Sequence, residues 1–126
     1  MSDNFLGSLR AANIERNKEW RPSSGDPLSS SFRIAEIVAE LGELASEVKR
    51  LQRHQLGMSG GSLLTGNLPK EVADVLISLD ALAMDFNVDL ESVTIQKFNE
   101  TSLKYGLKTM LSSGENSTCS GEKNRE

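Results

Sequence analysis

The sequence predicts an all-α fold, and three observations support that class. Aromatic residues make up 5% of the 126 residues, and proline occurs only 3 times. No stretch shows the strict apolar and polar alternation of a half-buried strand. Apolar residues instead recur at steps of three and four, which is the spacing of an amphipathic helix. A chain of this length fits one domain with a modest core, which association between copies would enlarge.

The first two helices are predicted from apolar spacing and from the loop residues between them. The first helix runs from Asn4 to about Trp20, where the segment 21–27 contains two prolines and a glycine and stops the pattern. Serines 29–31 offer N-caps for a second, long helix that continues to about Gln55. Eight apolar residues between Ile34 and Leu51 form one stripe along it.

The second half of the chain predicts two more helices between flexible segments. Glycine-rich residues 57–66 favour a flexible loop. A third helix starts near Pro69 and reaches Phe86, with Asn87 as its stop. Asp89 caps a fourth helix that weakens around Gly106. We expect one helical domain over residues 1–111 and a disordered polar tail over 112–126, because that tail has too few apolar residues to bury.

Four carboxylates in two matched pairs are the most informative functional feature. Glu40 and Glu43 lie three residues apart in the second helix, as do Glu71 and Asp74 in the third. That spacing places each pair on one helix face. On a helical wheel both pairs border the apolar stripe of their helix, so the two stripes can pack together while the acids meet along one rim. Four such acids repel one another, and a bound cation would relieve the repulsion.

The ligand set indicates which metal would bind and which chemistry it would serve. Carboxylates without sulfur suit Mg²⁺, with Mn²⁺ as a substitute, and Mg²⁺ usually binds substrate phosphates as well. A di-iron site is disfavoured because its motifs contain histidine, and His54 lies outside both pairs. The alternative is that these acids are solvated and paired with lysines, as most helical charges are.

The same residues carry a family resemblance. The motifs Glu40-Leu-Gly-Glu43 and Glu71-Val-Ala-Asp74, separated by a glycine-rich gap and followed by Lys97-Phe-Asn-Glu, resemble the MazG-like all-α nucleoside triphosphate pyrophosphohydrolases over about residues 10–108. The resemblance implies a four-helix-bundle-type subunit in a homodimer or homotetramer, with helices of two subunits building each site. It also implies Mg²⁺-dependent hydrolysis of nucleoside triphosphates, most of all deoxynucleotides, to the monophosphate and pyrophosphate, a house-cleaning activity on the nucleotide pool.

Matching positions assign roles that the resemblance implies. The metal ligands are Glu40, Glu43, Glu71 and Asp74, the phosphate-binding residues are Lys97 and Lys104, and Trp20 lies near the base. Trp20 is alternatively a core anchor at a helix end. Many relatives carry an additional acid where this chain has Ala39, so either Glu43 or Glu47 would activate the water, and the choice stays open. An aromatic residue that follows the first motif in deoxycytidine-triphosphate-selective relatives is missing here, so the base is not predicted.

Charge and composition limit which partners and which cellular compartment we expect. The net charge is −4 and no basic block could follow a phosphate backbone, so polymeric nucleic acid is not an expected partner. Neither a signal peptide nor a membrane-spanning apolar stretch is seen, and the one cysteine, Cys119, excludes an internal disulfide, so we expect a cytoplasmic protein. Two rival functions are a pyrophosphatase for phosphoribosyl-ATP or deoxyuridine triphosphate and a noncatalytic helical interaction module.

Overall fold

The structure, a computed structural model, describes residues 4–63 and 66–113, and these residues form four α-helices and no strand. The helices are α1 (Phe5–Glu19), α2 (Ser30–Gln55), α3 (Leu68–Asp85) and α4 (Leu90–Lys104). The all-α class is therefore confirmed. Each of the four helices predicted from the sequence is present at its predicted place.

Local residue chemistry explains where the helices begin and end. The side chains of Asn4, Ser29 and Asp89 accept hydrogen bonds from first-turn N–H groups of α1, α2 and α4, which satisfies donors that a helix start leaves without partners. α3 instead has Pro69 in its first turn, where no N–H is needed. Asn87 follows α3 with a φ of 56°, a left-handed conformation that asparagine tolerates and that stops the helix.

α3 is the central helix, since it packs against both α2 and α1, and a smaller contact joins α1 to α4. Among the described residues the buried apolar side chains are only Ala81 and Ala83, both on α3. The other buried residues are polar or charged: Asn13, Arg33, Glu47, Asp80 and Ser102. A single chain thus has a small apolar core and an unusually polar interior.

The apolar stripes predicted for α2 and α3 are only partly covered within one chain. Ile37, Leu44 and Leu51 of α2 are half-buried, as the expected α2–α3 seam requires. A second set of large apolar residues is exposed: Ile34, Val38, Leu41 and Val48 on α2, and Val72, Leu79 and Phe86 on α3. These residues recur at three-, four- or seven-residue steps, so each helix presents a continuous apolar strip outward.

The glycine-rich segment after α2 folds back on the end of that helix. The N–H groups of Met58 and Ser62 donate to the carbonyls of Arg53 and Arg50, at 2.8 and 3.1 Å. Gly61 lies so close to α2 that a Cβ there would be 2.6 Å from the Cα of the helix residue His54. Residues 64 and 65 of the predicted flexible loop and residues 114–126 of the predicted tail lie outside the described residues.

None of the described helices is both long enough and apolar enough to cross a membrane.

Candidate functional site

The packing of α2 against α3 brings three of the predicted metal ligands together. One carboxylate oxygen from each of Glu40, Glu43 and Glu71 lies within 4.8 Å of the other two. We call these three residues the acidic cluster. Asp74 lies one turn beyond Glu71 on α3 and outside this group, but its charge is close enough to raise the pKa of both Glu40 and Glu71.

The acidic cluster is electrostatically unsatisfied. Oε2 of Glu40 and Oε2 of Glu71 are buried and have no hydrogen-bond partner among the described residues. Burial, followed by repulsion from Glu43, Asp74 and Glu36, raises the pKa of Glu40. Burial also raises the pKa of Glu71, and a hydrogen bond with Glu43 and the nearby charges raise it further. These are the effects that a bound cation would reverse, because it favours the ionised carboxylates.

No lysine or arginine among the described residues forms an ion pair with these acids. The ion pairs within residues 4–63 and 66–113 are Arg10–Asp80, Lys18–Glu15, Arg33–Glu36, Arg33–Asp85 and Arg50–Glu47. The acidic cluster and Asp74 take part in none of them, so these acids are not paired with lysines in this part of the chain, although Glu43 and Asp74 are exposed to solvent as the alternative expects. The donor set, carboxylate oxygens without nitrogen or sulfur, fits a hard divalent cation such as Mg²⁺ or Mn²⁺.

A cavity of about 420 Å³ adjoins the acidic cluster, between α1, α2 and α3. Glu40 and Asp74 belong to its lining, so the cavity and the cluster form one continuous site. Trp20 and Phe32 supply aromatic walls, as a site for a flat ring would need. Trp20 is 72% exposed, so the alternative that it anchors the core is wrong for the single chain.

A buried polar network ties α1 to α3 beneath this cavity. Asp80 is 1% exposed, and its carboxylate receives Nη2 of Arg10 at 3.0 Å and Nδ2 of Asn13 at 2.9 Å. Arg10 also donates to the carbonyl of Val88 at 2.7 Å, just before α4. The network therefore fixes α1 against α3 and against the start of α4 through charge-assisted hydrogen bonds.

A second buried arginine connects α2 to its neighbours. Arg33, 6% exposed, donates to Asp85 of α3 and to Oδ1 of Asn17 on α1, each at 2.8 Å. Its third partner is Glu36, at 3.6 Å, which itself lines the cavity. Two arginine–aspartate pairs thus hold the three helices that surround the cavity.

Sequence reasoning did not identify Asn13, Asn17, Arg33 or Asp80 as site residues. The only trace of these residues in the sequence of α1 is one polar face, formed by Arg10, Asn13 and Asn17 at steps of three and four residues. Such a face is ordinarily the solvent side of a helix. Here it points inward, because α3 presents a buried aspartate to it.

The remaining predicted residues lie in other surroundings. Glu47 is buried on α2 and paired with Arg50. Lys97 lines a separate depression on α4, and Lys104 lies over the ring of Tyr105, 5.4 Å from its centroid. Neither lysine lines the cavity within one chain.

The basic residues that do line the cavity are Arg16, Arg21 and Arg33. Arg33 is held by its three partners, and Arg21 donates to a backbone carbonyl of α1. The side chain of Arg16 makes no hydrogen bond or ion pair with any described residue, so its guanidinium is available to an anionic ligand.

No protein-family model matches the chain, and no curated protein and no solved structure matches it either. Its function must therefore be inferred from its own residues and their geometry.

Proposed function

We propose that this chain is a Mg²⁺-dependent nucleoside triphosphate pyrophosphohydrolase that releases pyrophosphate and a nucleoside monophosphate. The observation that carries the proposal is the pair of buried, unpartnered carboxylate oxygens of Glu40 and Glu71, beside an aromatic-walled cavity of about 420 Å³. A bound cation would stabilise the unpaired acids. The adjoining cavity suits the organic part of a ligand, and the phosphates of that ligand would bind to the cation.

Glu40, Glu43, Glu71 and Asp74 are the residues that hold Mg²⁺ or Mn²⁺ in this proposal. The cation supplies charge neutralisation on the phosphate oxygens in the transition state and orients the reacting groups. The helices hold the acids in place before any ligand arrives, because α2 and α3 pack directly against each other. The site is thus preorganised, which is where an enzyme gains most from fixed charges.

The environment of the two candidate bases favours Glu43 over Glu47. Glu47 is buried and paired with Arg50, so its carboxylate is already engaged. Glu43 is exposed and belongs to the acidic cluster. In the proposed reaction Glu43 takes a proton from water while the water oxygen bonds to the α-phosphorus. The bond from that phosphorus to the bridging oxygen breaks, and pyrophosphate leaves.

The cavity residues bind the rest of the substrate in this proposal. Trp20 stacks on the base, for which a ring exposed at the cavity wall is well placed. Arg16, whose side chain has no partner among the described residues, contacts the polyphosphate. Lys97 and Lys104 lie on α4 outside this cavity, so their predicted phosphate-binding role requires α4 of a second copy.

Association of copies, as a homodimer or homotetramer of four-helix-bundle-type subunits, is part of the proposal. The strips on α2 and α3 expose residues such as Val38 at 62% and Val72 at 54%, and a stable monomer rarely leaves such continuous apolar surface uncovered. Sedimentation equilibrium measures the assembly directly. A monomer at micromolar concentration would contradict this part of the proposal.

The activity is tested by incubating the full chain with Mg²⁺ and a panel of common and damaged nucleoside triphosphates while pyrophosphate and phosphate are measured separately. We expect pyrophosphate release that requires Mg²⁺ and falls at least a hundredfold, on the order of what one catalytic group contributes, in Glu43→Gln and Asp74→Asn. Glu100→Gln, an exposed acid of α4, is the matched control. Full activity in Glu43→Gln and Asp74→Asn would remove the site assignment.

The same panel, extended to phosphoribosyl-ATP and deoxyuridine triphosphate, separates the rival substrates. A noncatalytic helical module is distinguished by calorimetry with Mg²⁺ and a nonhydrolysable nucleotide. Such a module should give no metal-dependent heat of nucleotide binding, whereas the proposed enzyme should give one.

A further inference from the structure

Two asparagines of α1 line the cavity, and their charged neighbours fix which end of each amide faces them. Nδ2 of Asn13 donates to Oδ2 of Asp80 at 2.9 Å and to the carbonyl of Ile77 at 3.3 Å. Both partners are acceptors, so only the amide nitrogen can face them. Oδ1 of Asn13 is left over. It makes no hydrogen bond within the described residues and is not among the fully buried oxygens, so it is open to the cavity that Asn13 lines.

Asn17, one helical turn further along α1, is fixed in the opposite sense. The guanidinium of Arg33 donates to Oδ1 of Asn17 at 2.8 Å, which requires the amide oxygen at that position. Its Nδ2 donates to no atom among the described residues. The cavity is therefore offered one free acceptor, from Asn13, and one free donor, from Asn17, on the same face of one helix.

We propose that Asn13 and Asn17 read the edge of the nucleobase and select a base whose Watson–Crick edge carries an amine beside an unprotonated ring nitrogen, namely cytosine or adenine. Oδ1 of Asn13 accepts from the amine, and Nδ2 of Asn17 donates to the neighbouring ring nitrogen. This inference rests on the proposed function, because it places the base in the cavity and the phosphates at the acidic cluster.

The order of the two asparagines gives the preference. Asn13 is the more buried of the two, so in this inference it meets the exocyclic group on the major-groove side of the base edge that enters the cavity. In cytosine and adenine that group is an amine, which donates, whereas in thymine, uracil and guanine it is a carbonyl oxygen, which accepts. A keto base would bring an oxygen against Oδ1 of Asn13 and leave both acceptors without a hydrogen.

Burial makes this mismatch costly. A buried polar atom that loses water and finds no partner costs more than an ordinary hydrogen bond contributes, and sites built on such atoms discriminate strongly. We therefore expect amino bases to bind at least about tenfold more tightly than keto bases. The aromatic wall formed by Trp20 and Phe32 serves every base, so it adds affinity without altering this difference.

Calorimetry with nonhydrolysable analogues of the four common deoxynucleoside triphosphates tests the inference, in the presence of Mg²⁺ and with inorganic tripolyphosphate as a probe that has no base. Asn17→Asp keeps an oxygen for Arg33 and removes the free donor. It should weaken the deoxycytidine and deoxyadenosine analogues about tenfold or more and change tripolyphosphate binding less than twofold. Asn67→Asp, the same change at the start of α3, is the control, and thermal unfolding verifies that each variant is folded.

The outcomes separate this inference from the function on which it rests. If the unmutated chain binds keto-base analogues as tightly as amino-base analogues, or if Asn17→Asp leaves amino-base affinity unchanged, the base-reading role is wrong while the metal and triphosphate chemistry stands. If neither nucleotides nor tripolyphosphate bind with Mg²⁺, the proposed function fails, and the base-reading role fails with it.

Discussion

Replacing Asp80 with alanine should destabilise the fold more than most substitutions in this chain. Asp80 is 1% exposed and accepts from Arg10 at 3.0 Å and from Asn13 at 2.9 Å. Alanine removes the negative charge and leaves the Arg10 guanidinium without its counter-ion. It also leaves Nδ2 of Asn13 with only its longer bond, to the carbonyl of Ile77 at 3.3 Å.

The size of the loss follows from these contacts. Removing one partner of a buried ion pair costs about 3–5 kcal/mol. The side chain of Arg10 is 21% exposed and keeps its hydrogen bond to Val88, so water can reach it and the loss lies near the low end of that range. The weakened Asn13 amide adds about 1 kcal/mol. We expect a total of about 3–4 kcal/mol, a large part of the roughly 5–15 kcal/mol that stabilises a typical domain.

Urea unfolding followed by helical circular dichroism measures this loss. With an m-value of about 1–3 kcal/mol per molar urea, the midpoint should fall by about 1–4 M. Asp26→Ala, in the loop between α1 and α2, is the control, since Asp26 is exposed and its side chain forms no ion pair with a described residue. A loss below about 1 kcal/mol, the value of an exposed pair, would refute the assignment of Asp80 as the buried anchor of α1.

Three further outcomes are expected. Because burial raises the pKa of Glu40, the thermal stability of the metal-free protein should fall as pH rises from the ordinary glutamate pKa through the raised one. Glu40→Gln should remove part of that fall, and it should also weaken the thermal stabilisation that Mg²⁺ provides. The pKa of Asp89 is shifted in the opposite direction, because hydrogen bonds, first from the N–H of Ser92, lower it. The contribution of Asp89 to thermal stability is therefore present above the ordinary aspartate pKa and is lost as the pH falls through the lowered pKa. Gly61→Ala should cost about 1–3 kcal/mol in urea unfolding, because its Cβ would lie 2.6 Å from a backbone atom of α2, whereas Gly42→Ala, with open space around it, should stabilise α2 by about 0.5–1 kcal/mol.

The helices and most of the proposed metal ligands could be predicted because their signals are local. A cap such as Ser29 or Asp89 acts on the first turn of its own helix, so neighbouring residues suffice to locate it. The spacing of Glu40 and Glu43 fixes their relative position on α2 in the same way. Only the approach of Glu71 depended on helix packing, and the apolar stripes on α2 and α3 specify that packing.

The asparagine-lined side of the cavity could not be predicted for the converse reason. Nothing within α1 distinguishes a polar face that meets solvent from one that meets a buried carboxylate. The side chain of Asn13 faces the interior because it donates a hydrogen bond to Asp80, which lies 67 residues away in the chain. The orientation of Asn17 depends on Arg33 of α2, itself held by Asp85 of α3. Each pairs a neutral amide with a charged side chain of another helix, and hydrophobic periodicity does not encode such pairings.

The Arg33–Asp85 ion pair opposes the electrostatic repulsion within the acidic cluster. Repulsion among Glu40, Glu43 and Glu71 acts to push α2 away from α3, and the apolar seam between these helices is only half-buried in one chain. The Arg33–Asp85 pair opposes that separation directly, because it joins α2 to α3 at 2.8 Å. A fold that holds unneutralised acids this close needs such a restraint, since the free energy of bringing the acids together must come from contacts elsewhere. The polar interior therefore keeps the acidic cluster assembled where a small apolar core of alanines would not.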